Sequence, residues 1–261
     1  MKRPRKDLMV IDYADLPGPH WFKEPQVECE VNVRSPTKTR LNLNAAWEQT
    51  THTDREMGRS AYPVYQQTLR GLSDLYKTGF VATVEAFVAL SPNNDYHGNL
   101  RSLVSLLVAY QQGKSFDNCV ISTYRACGER AWGYLSGEVS FLDTVKGRKI
   151  TSFRDNILYL EDSRRVTVDG HMIALGLADP HMTMSEANLA LRQTGLYDDI
   201  ERTVLGIARS SREAPCTIQA ALWMWRKRTL GIKMNTQLDL FTGTTKWDGV
   251  IPADEIIPYE G

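Results

Sequence analysis

The sequence contains no uninterrupted apolar run close to the roughly 18 residues that a membrane-spanning helix needs. Its basic first residues are not followed by the apolar stretch of a signal peptide. We therefore expect a cytoplasmic protein with no membrane partner.

Cysteine is scarce, and its spacing does not match a metal site. The four cysteines, Cys29, Cys119, Cys127 and Cys216, include no CxxC pair. This spacing excludes a zinc ribbon and a four-thiolate iron–sulfur cluster. We expect buried or inert thiols in a reducing compartment, and no metal or other cofactor.

An excess of either charge is also lacking, because 31 Lys and Arg balance 31 Asp and Glu. Overall composition therefore gives no indication of nucleic-acid binding. Positive charge is concentrated locally, and most such clusters are typical of solvated faces. The cluster at Lys146, Arg148, Lys149 and Arg154 differs because Gly147 lies within it. Exposed backbone N–H groups at such a turn add to the positive charge of the side chains.

The apolar pattern predicts a mostly α protein in three segments. Residues 1–58 are punctuated by proline and contain one extended stretch at 27–33, which indicates an irregular arm packed on the core. Residues 59–230 show helical periodicity and form the main domain, and residues 231–261 are expected to be an extended tail. The predicted helices cover residues 62–76, 80–90, 100–110, 121–135, 138–145, 150–160, 185–193, 197–210 and 217–229.

A β-branched run at residues 165–168 leaves two interpretations open. By local propensity it is a strand. It serves equally well as a short extended linker that enters a helix at Asp169.

Three motifs resemble those of the helix-hairpin-helix DNA glycosylases of the endonuclease III type, and they occur in the same order along the chain. The sequence FVALSPNND at 87–95 is similar to the family's LLSAQATD segment, and VKGRK at 145–149 is similar to its PGVGRKTA hairpin. The sequence VDGHM at 168–172 is similar to its VDTHV helix start. The resemblance covers roughly residues 75–180 and implies a helix-hairpin-helix glycosylase-like fold.

Within that superfamily the chain is more similar to a divergent, phage-associated branch. The relevant segments are ALSPNN at 89–94, GRKITSFRDNI at 147–157 and PCTIQAALW at 215–223. Some members of this branch are associated with thymine hypermodification, as α-glutamyl/putrescinyl-thymine pyrophosphorylase-like proteins. The resemblance implies double-stranded DNA as a partner, a free amino acid or amine as a co-substrate, and a host cytoplasm as the location.

Several features depart from the family. Val145 occupies the position of the hairpin's first glycine, which weakens the phosphate grip. Asn93 replaces the glutamine that such enzymes insert into the duplex. The C-terminal cysteine cluster of endonuclease III is absent.

The resemblance assigns the chemistry to Asp169 and Lys149, which are twenty positions apart. Asp169 would stabilise positive charge or act as a base, and its structural alternative is a helix N-cap. Lys149 matches the position that forms a Schiff base in bifunctional members, and a phosphate contact is the equal alternative. In a transferase, the Lys149 ammonium would stabilise a departing pyrophosphate.

The remaining candidates form a DNA surface and a base pocket. Lys146, Gly147, Arg148 and Arg154 are expected to bind phosphates, with an ordinary loop between two helices as the alternative. Asn93 and Asn94 are expected to enter the base stack, and Tyr96 lies on the same turn; the alternative is a turn chosen for the local hydrogen bonds of asparagine. Tyr96, His171, Gln219, Trp223 and Arg226 are expected to line the base pocket, and for the last four ordinary core packing is the alternative.

Three functions remain open. The first is transfer of an amine to a phosphorylated 5-hydroxymethyluracil, on a base flipped out of the duplex. The second is excision of a damaged or modified base by a DNA N-glycosylase. The third is a DNA-binding module without activity. The altered hairpin, the missing cysteine cluster and the segment at 215–223 favour transfer.

Overall fold

The computed structural model describes residues 34–92 and 94–231, which form eleven α-helices and contain no β-strand. The mostly α prediction is therefore confirmed. The extended stretch predicted at 27–33 lies outside the described residues, as does the predicted tail after Gly231.

The helices follow one another with short connections. They are α1 (Pro36–Glu48), α2 (His52–Leu75), α3 (Phe80–Ala89), α4 (Tyr96–Gln111), α5 (Arg125–Ser136), α6 (Phe141–Thr144), α7 (Arg148–Tyr159), α8 (Gly170–Gly176), α9 (Met184–Ala190), α10 (Leu196–Ser211) and α11 (Pro215–Thr229). No helix among the described residues is both long and apolar enough to cross a membrane.

The predicted irregular arm is wrong for residues 36–48 and 52–58, which are helical. Pro36 lies in the first turn of α1, where a missing N–H costs nothing, so this proline starts the helix and does not break one. At the start of α2, Thr51 and Asp54 form a reciprocal capping box. Proline frequency therefore misidentified two helix beginnings as irregular chain.

Two other predicted helices begin later in the structure than the sequence indicates. The helix predicted over 121–135 begins at Arg125, because the chain before it is held in a loop. There the Ser122 N–H donates to the Ser102 hydroxyl at 3.0 Å. The helix predicted over 138–145 covers only α6, and Val145 is already extended. Residues 165–168 pair with no strand among the residues that the structure describes, so the linker interpretation is the correct one there.

Two hydrophobic clusters form the core. The first packs the apolar faces of α2, α3, α4, α5 and α7 around Phe87, and the second packs those of α1, α8, α9 and α10 around Ile173. Helix α11 belongs to both, because Ala220 faces the first cluster and Leu222 the second. The two clusters therefore share one helix.

Close contact between α2 and α11 depends on Gly58. A Cβ at this position would lie 2.8 Å from the Ala221 Cβ and 2.8 Å from the Thr217 carbonyl oxygen. Only glycine lets the two helix backbones approach this far. This packing fixes α11, whose last turn reaches the start of α8.

Candidate active site

The turn between α6 and α7 carries the predicted phosphate-binding cluster. Gly147 precedes the first turn of α7, and no side chain of the described ranges 34–92 and 94–231 caps that helix. A Cβ at Gly147 would meet no atom of these residues within 4 Å, so the space beside it is open with respect to them. Lys146 is exposed next to it, while Val145 packs against the first cluster. The turn can therefore offer uncapped N–H groups and one exposed ammonium to an anion.

Arg148 is engaged with acidic residues of α10. Its guanidinium donates to Asp198 at 2.5 Å and to Glu201 at 2.6 Å. The same group stacks over the Tyr197 ring, 4.1 Å from its centroid. Arg148 thus ties the start of α7 to α10, and its charge is largely compensated within the protein.

Arg154 is not part of an exposed DNA surface. Its side chain is only 13% exposed, and it donates to Glu85 of α3 at 2.8 Å and to Asp155 at 3.0 Å. Arg154 therefore links α7 to α3 through this ion pair. The prediction that Arg154 binds DNA phosphates therefore conflicts with its position.

Asp169 is the N-cap of α8. Its Oδ1 accepts a hydrogen bond from the Met172 N–H at 3.0 Å. The preceding Val166 and Val168 are fully buried, which fixes where the linker delivers this carboxylate. Asp169 itself is half-buried, and its Oδ2 makes no hydrogen bond to the described part of the chain. Capping occupies one oxygen and leaves the other for chemistry.

His171 lies in the first turn of α8 and contacts the end of α11. The Arg226 guanidinium approaches His171 Nδ1 at 2.7 Å and donates to the Pro180 carbonyl oxygen at 3.1 Å. The His171 ring meets the Trp223 ring edge to face, with centroids 5.8 Å apart. Three predicted pocket residues therefore form one contact group.

Lys227 was not predicted, yet it lies in the same group. Its ammonium is 3.8 Å from the centroid of the Trp223 ring. Burial lowers the pKa of Lys227, against the opposing charges of Asp169 and Asp95. Its sequence signal was the i, i+4 spacing from Trp223, which places both side chains on one face of a helix.

Lys149 and Asp169 both act on the His171 imidazole. Burial lowers the pKa of His171. The Asp169 charge opposes this shift, and the charges of Arg226, Lys227 and Lys149 add to it. Charges that move the pKa of one group in this way lie near it. We call six residues of α7, α8 and α11 the His171 cluster: Asp169, His171, Trp223, Arg226 and Lys227, which adjoin one another in sequence or in contact, and Lys149, which is included for the effect of its charge on His171.

The predicted DNA wedge is only partly described. Asn93 lies outside the described residues. The Asn94 amide donates to the Leu90 carbonyl oxygen at 3.3 Å, and its Oδ1 accepts from the Ser122 hydroxyl at 3.0 Å. Because both ends of this amide are engaged inside the protein, Asn94 does not project toward a duplex.

Tyr96 is in the core and does not line a pocket. It is buried, and its ring centroid is 5.1 Å from that of Tyr65 and 6.2 Å from that of Phe87. Burial raises the pKa of Tyr96 to about 12. The predicted place of Tyr96 in a base pocket therefore conflicts with its burial in the core.

Gln219 also has a structural role, within a buried polar network. Its Oε1 accepts from the Tyr62 hydroxyl at 2.8 Å. The Asn156 amide donates to the Thr167 hydroxyl at 3.1 Å, and Thr167 lies 3.2 Å from the Tyr62 hydroxyl. This network joins α2, α7, α11 and the linker just behind Asp169, so Gln219 supports the cluster from the core.

Two cavities occur elsewhere on the described surface. One of about 590 Å³ lies between α1 and α10, and one of about 320 Å³ lies between α2, α11 and the end of α7. Neither is lined by Lys149 or Asp169. Among the residues described, no group of three or more His, Cys, Asp or Glu side chains could hold a metal ion.

Comparison with known proteins identifies a family without assigning an activity. Residues 27–229 match a family of unknown function, DUF7178. The chain belongs to this family. No curated protein and no solved structure matches it. The family match spans all eleven described helices, so every residue of the His171 cluster lies within the family's common region.

Proposed function

We propose that this DUF7178 protein is a DNA base-modifying enzyme that acts on a flipped nucleotide at the His171 cluster. The observation that carries the proposal is the geometry around the half-buried His171 imidazole: Arg226 contacts its Nδ1 at 2.7 Å, and Asp169, two residues before it, caps α8 through Oδ1 while its Oδ2 makes no hydrogen bond to the described part of the chain. A binding module has no need for a carboxylate beside an anionic ligand, whereas base chemistry needs both a proton acceptor and a cation.

Charge favours transfer over excision. Three cations and one carboxylate act on His171. In the proposed transfer, an amine nitrogen attacks the 5-methylene carbon of a phosphorylated 5-hydroxymethyluracil, and the carbon–oxygen bond breaks. The (pyro)phosphate leaves with the bonding electrons, where Lys149 and Lys227 stabilise its charge, and Asp169 takes the proton from the amine.

DNA would approach from the turn before α7. Lys146 and the uncapped N–H groups after Gly147 face open space there. Contacts of this kind hold phosphates without reading sequence, and they weaken as salt rises. Because Arg148 and Arg154 are already paired with carboxylates, we propose a small phosphate contact centred on Lys146 and Gly147.

Base excision is the second candidate, and one observation favours it. The amine of Lys149 lies in the first turn of α7 and is half-buried, and its charge and that of Asp169 both act on His171. A glycosylase with lyase activity requires an amine and a carboxylate that act at one site. In that reaction the base leaves C1′, and water or the Lys149 amine adds to the sugar.

A single product analysis separates the candidates. The protein is incubated with duplexes that carry uracil, 5-hydroxymethyluracil or its phosphorylated form, together with free amino acids. The DNA is then digested to nucleosides, and their masses are measured by mass spectrometry. We expect a heavier intact nucleoside only from the phosphorylated duplex. Abasic sites or released base would establish excision. If neither product forms and DNA binding is preserved, the protein is a DNA-binding module.

A matched charge variant controls the assay. Lys149→Met is expected to lose turnover, whereas Arg209→Met removes an equal charge from an exposed position on α10 and is expected to keep it. Equal losses in both variants would show that total charge matters and that the position of Lys149 does not.

A further inference from the structure

The contact between Arg226 and His171 fixes which imidazole nitrogen carries the proton. An arginine guanidinium has only donors and stays charged in proteins, so the 2.7 Å contact requires Nδ1 to be an acceptor. The neutral ring therefore carries its proton on Nε2. Protonation of Nδ1 would break this bond and place two cations against each other.

The surroundings keep the ring neutral and hold its orientation. The groups facing it are Asp169 at the start of α8, Lys149 on α7, and Arg226 and Lys227 on α11. Burial and the three cations lower the pKa of His171, and Asp169 alone opposes them. The edge-to-face contact with Trp223 fixes the plane of the ring.

The burial of the Arg226 side chain is energetically unfavourable for its charge. Arg226 is 7% exposed, and its Nε is buried without a hydrogen-bond partner in the described chain. It forms no ion pair with a described carboxylate, although one buried charge normally needs another. The contacts to His171 and Pro180 therefore hold this guanidinium in place, although water would solvate it better.

We propose that Arg226 is a positioning residue that presents the Nε2–H of neutral His171 to a phosphoryl oxygen of the substrate. Nε2 forms no hydrogen bond within the described part of the chain, and the ring is half-buried, so this donor remains available. Lys227, on the Trp223 face beside it, adds positive charge for the same anion. This inference rests on the proposed function, because it names the atom that recognises the phosphorylated substrate.

Nitrogen-15 NMR of the full chain tests the positioning step without DNA. At pH values above the ordinary imidazole pKa of 6.5, we expect His171 to show an unprotonated Nδ1 and a protonated Nε2. In Arg226→Met, the pKa of His171 should rise and both tautomers should appear. A protonated Nδ1 in the wild type, or an unchanged His171 in Arg226→Met, would overturn the proposal.

Titration with inorganic pyrophosphate tests the recognition step. Binding should shift the His171 Nε2 resonance. His171→Leu should weaken binding by about tenfold or more, since a hydrogen bond to a charged group is lost. His171→Gln, which keeps an N–H donor, should retain most of the affinity, and Arg209→Met should bind as the wild type does. Equal affinity in His171→Leu and the wild type would overturn the proposal.

The two sets of experiments fail separately. Loss of the expected tautomer or of pyrophosphate recognition removes the role given to His171 and leaves the nucleoside analysis unaffected. Excision products in that analysis, with intact pyrophosphate binding, would instead remove the proposed transfer.

Discussion

At the scale of single residues, Asp169 combines a structural and a proposed chemical role. Its Oδ1 caps α8. Because asparagine caps helices as well as aspartate does, Asp169→Asn should preserve the helix and remove only the charge. We expect this variant to lose turnover in the nucleoside assay while it retains DNA binding and its melting temperature.

Glu186→Gln provides the control for that substitution. Glu186 completes the capping box of α9 with Thr183, where glutamine is also accepted. The control should turn over as the wild type does. Full activity in Asp169→Asn would remove this carboxylate from the mechanism.

The sequence predicted some residues of the site better than others, for a physical reason. Asp169 and Lys149 stand in short local motifs beside helix starts, so neighbouring residues mark them. Lys227 joins the cluster through tertiary contact between α11 and α8. Its i, i+4 spacing from Trp223 places both side chains on one helix face but does not reveal that this face meets α8. Gln219 and Tyr96 share the polar or aromatic character of pocket residues, but burial decided their role.

At the scale of elements, helix interiors were predictable from periodicity and helix starts less so. Helix α3 was predicted to within one residue, because its apolar run ends at a Ser–Pro turn. Helix α1 was missed because Pro36 is read as a breaker unless its place in the first turn is known. The prediction of α6 was too long because Val145 must be extended to form the turn before α7.

Two glycines of α2 should respond in opposite directions to alanine. Gly58→Ala should destabilise the protein by about 1–3 kcal/mol, because its Cβ would overlap Ala221 and Thr217 of α11. Gly71 has no atom within 4 Å of a Cβ, so Gly71→Ala should stabilise α2 by about 0.5–1 kcal/mol. Thermal and urea unfolding of both variants measures this difference. Similar shifts in both would contradict the close approach of α2 and α11.

The start of α2 and the end of α11 are joined through Asp54. This buried carboxylate accepts from Arg228 at 2.8 Å and from the Thr51 N–H at 2.8 Å. Burial alone would raise the pKa of Asp54, but the hydrogen bonds from Arg228 and Thr51 outweigh it and lower the pKa below its usual 3.8. Because the pKa is lower in the folded state, the ionised carboxylate stabilises the protein fully at pH values above the usual, unfolded-state pKa. This contribution is lost as the pH falls through the folded-state pKa.

Asp54→Asn should therefore cost stability in a pH-dependent way. At neutral pH we expect a loss of about 2 kcal/mol, moderated because Arg228 is partly exposed. The difference from the wild type should shrink as the pH is lowered below the usual aspartate value of 3.8. Urea unfolding across the pH range measures it, and a difference independent of pH would contradict the charged link.

At the scale of the whole molecule, the proposed site lies where the two hydrophobic clusters meet. Lys149 extends from α7, which packs on the first cluster, and Asp169 begins α8, which packs in the second. Helix α11 supplies Trp223, Arg226 and Lys227 and has residues in both clusters. The relative placement of the proposed acid–base groups therefore depends on both halves of the core.

Sharing of α11 should make the two clusters unfold together. Leu103 in the first cluster and Leu222 in the second are both fully buried. Leu103→Ala and Leu222→Ala should each cost about 2–5 kcal/mol and shift one common transition. Calorimetry, together with far-UV circular dichroism and tryptophan fluorescence, tests this coupling. Two separate transitions, each moved by only one variant, would show that α11 does not join the clusters, and the His171 cluster would then span two independent units.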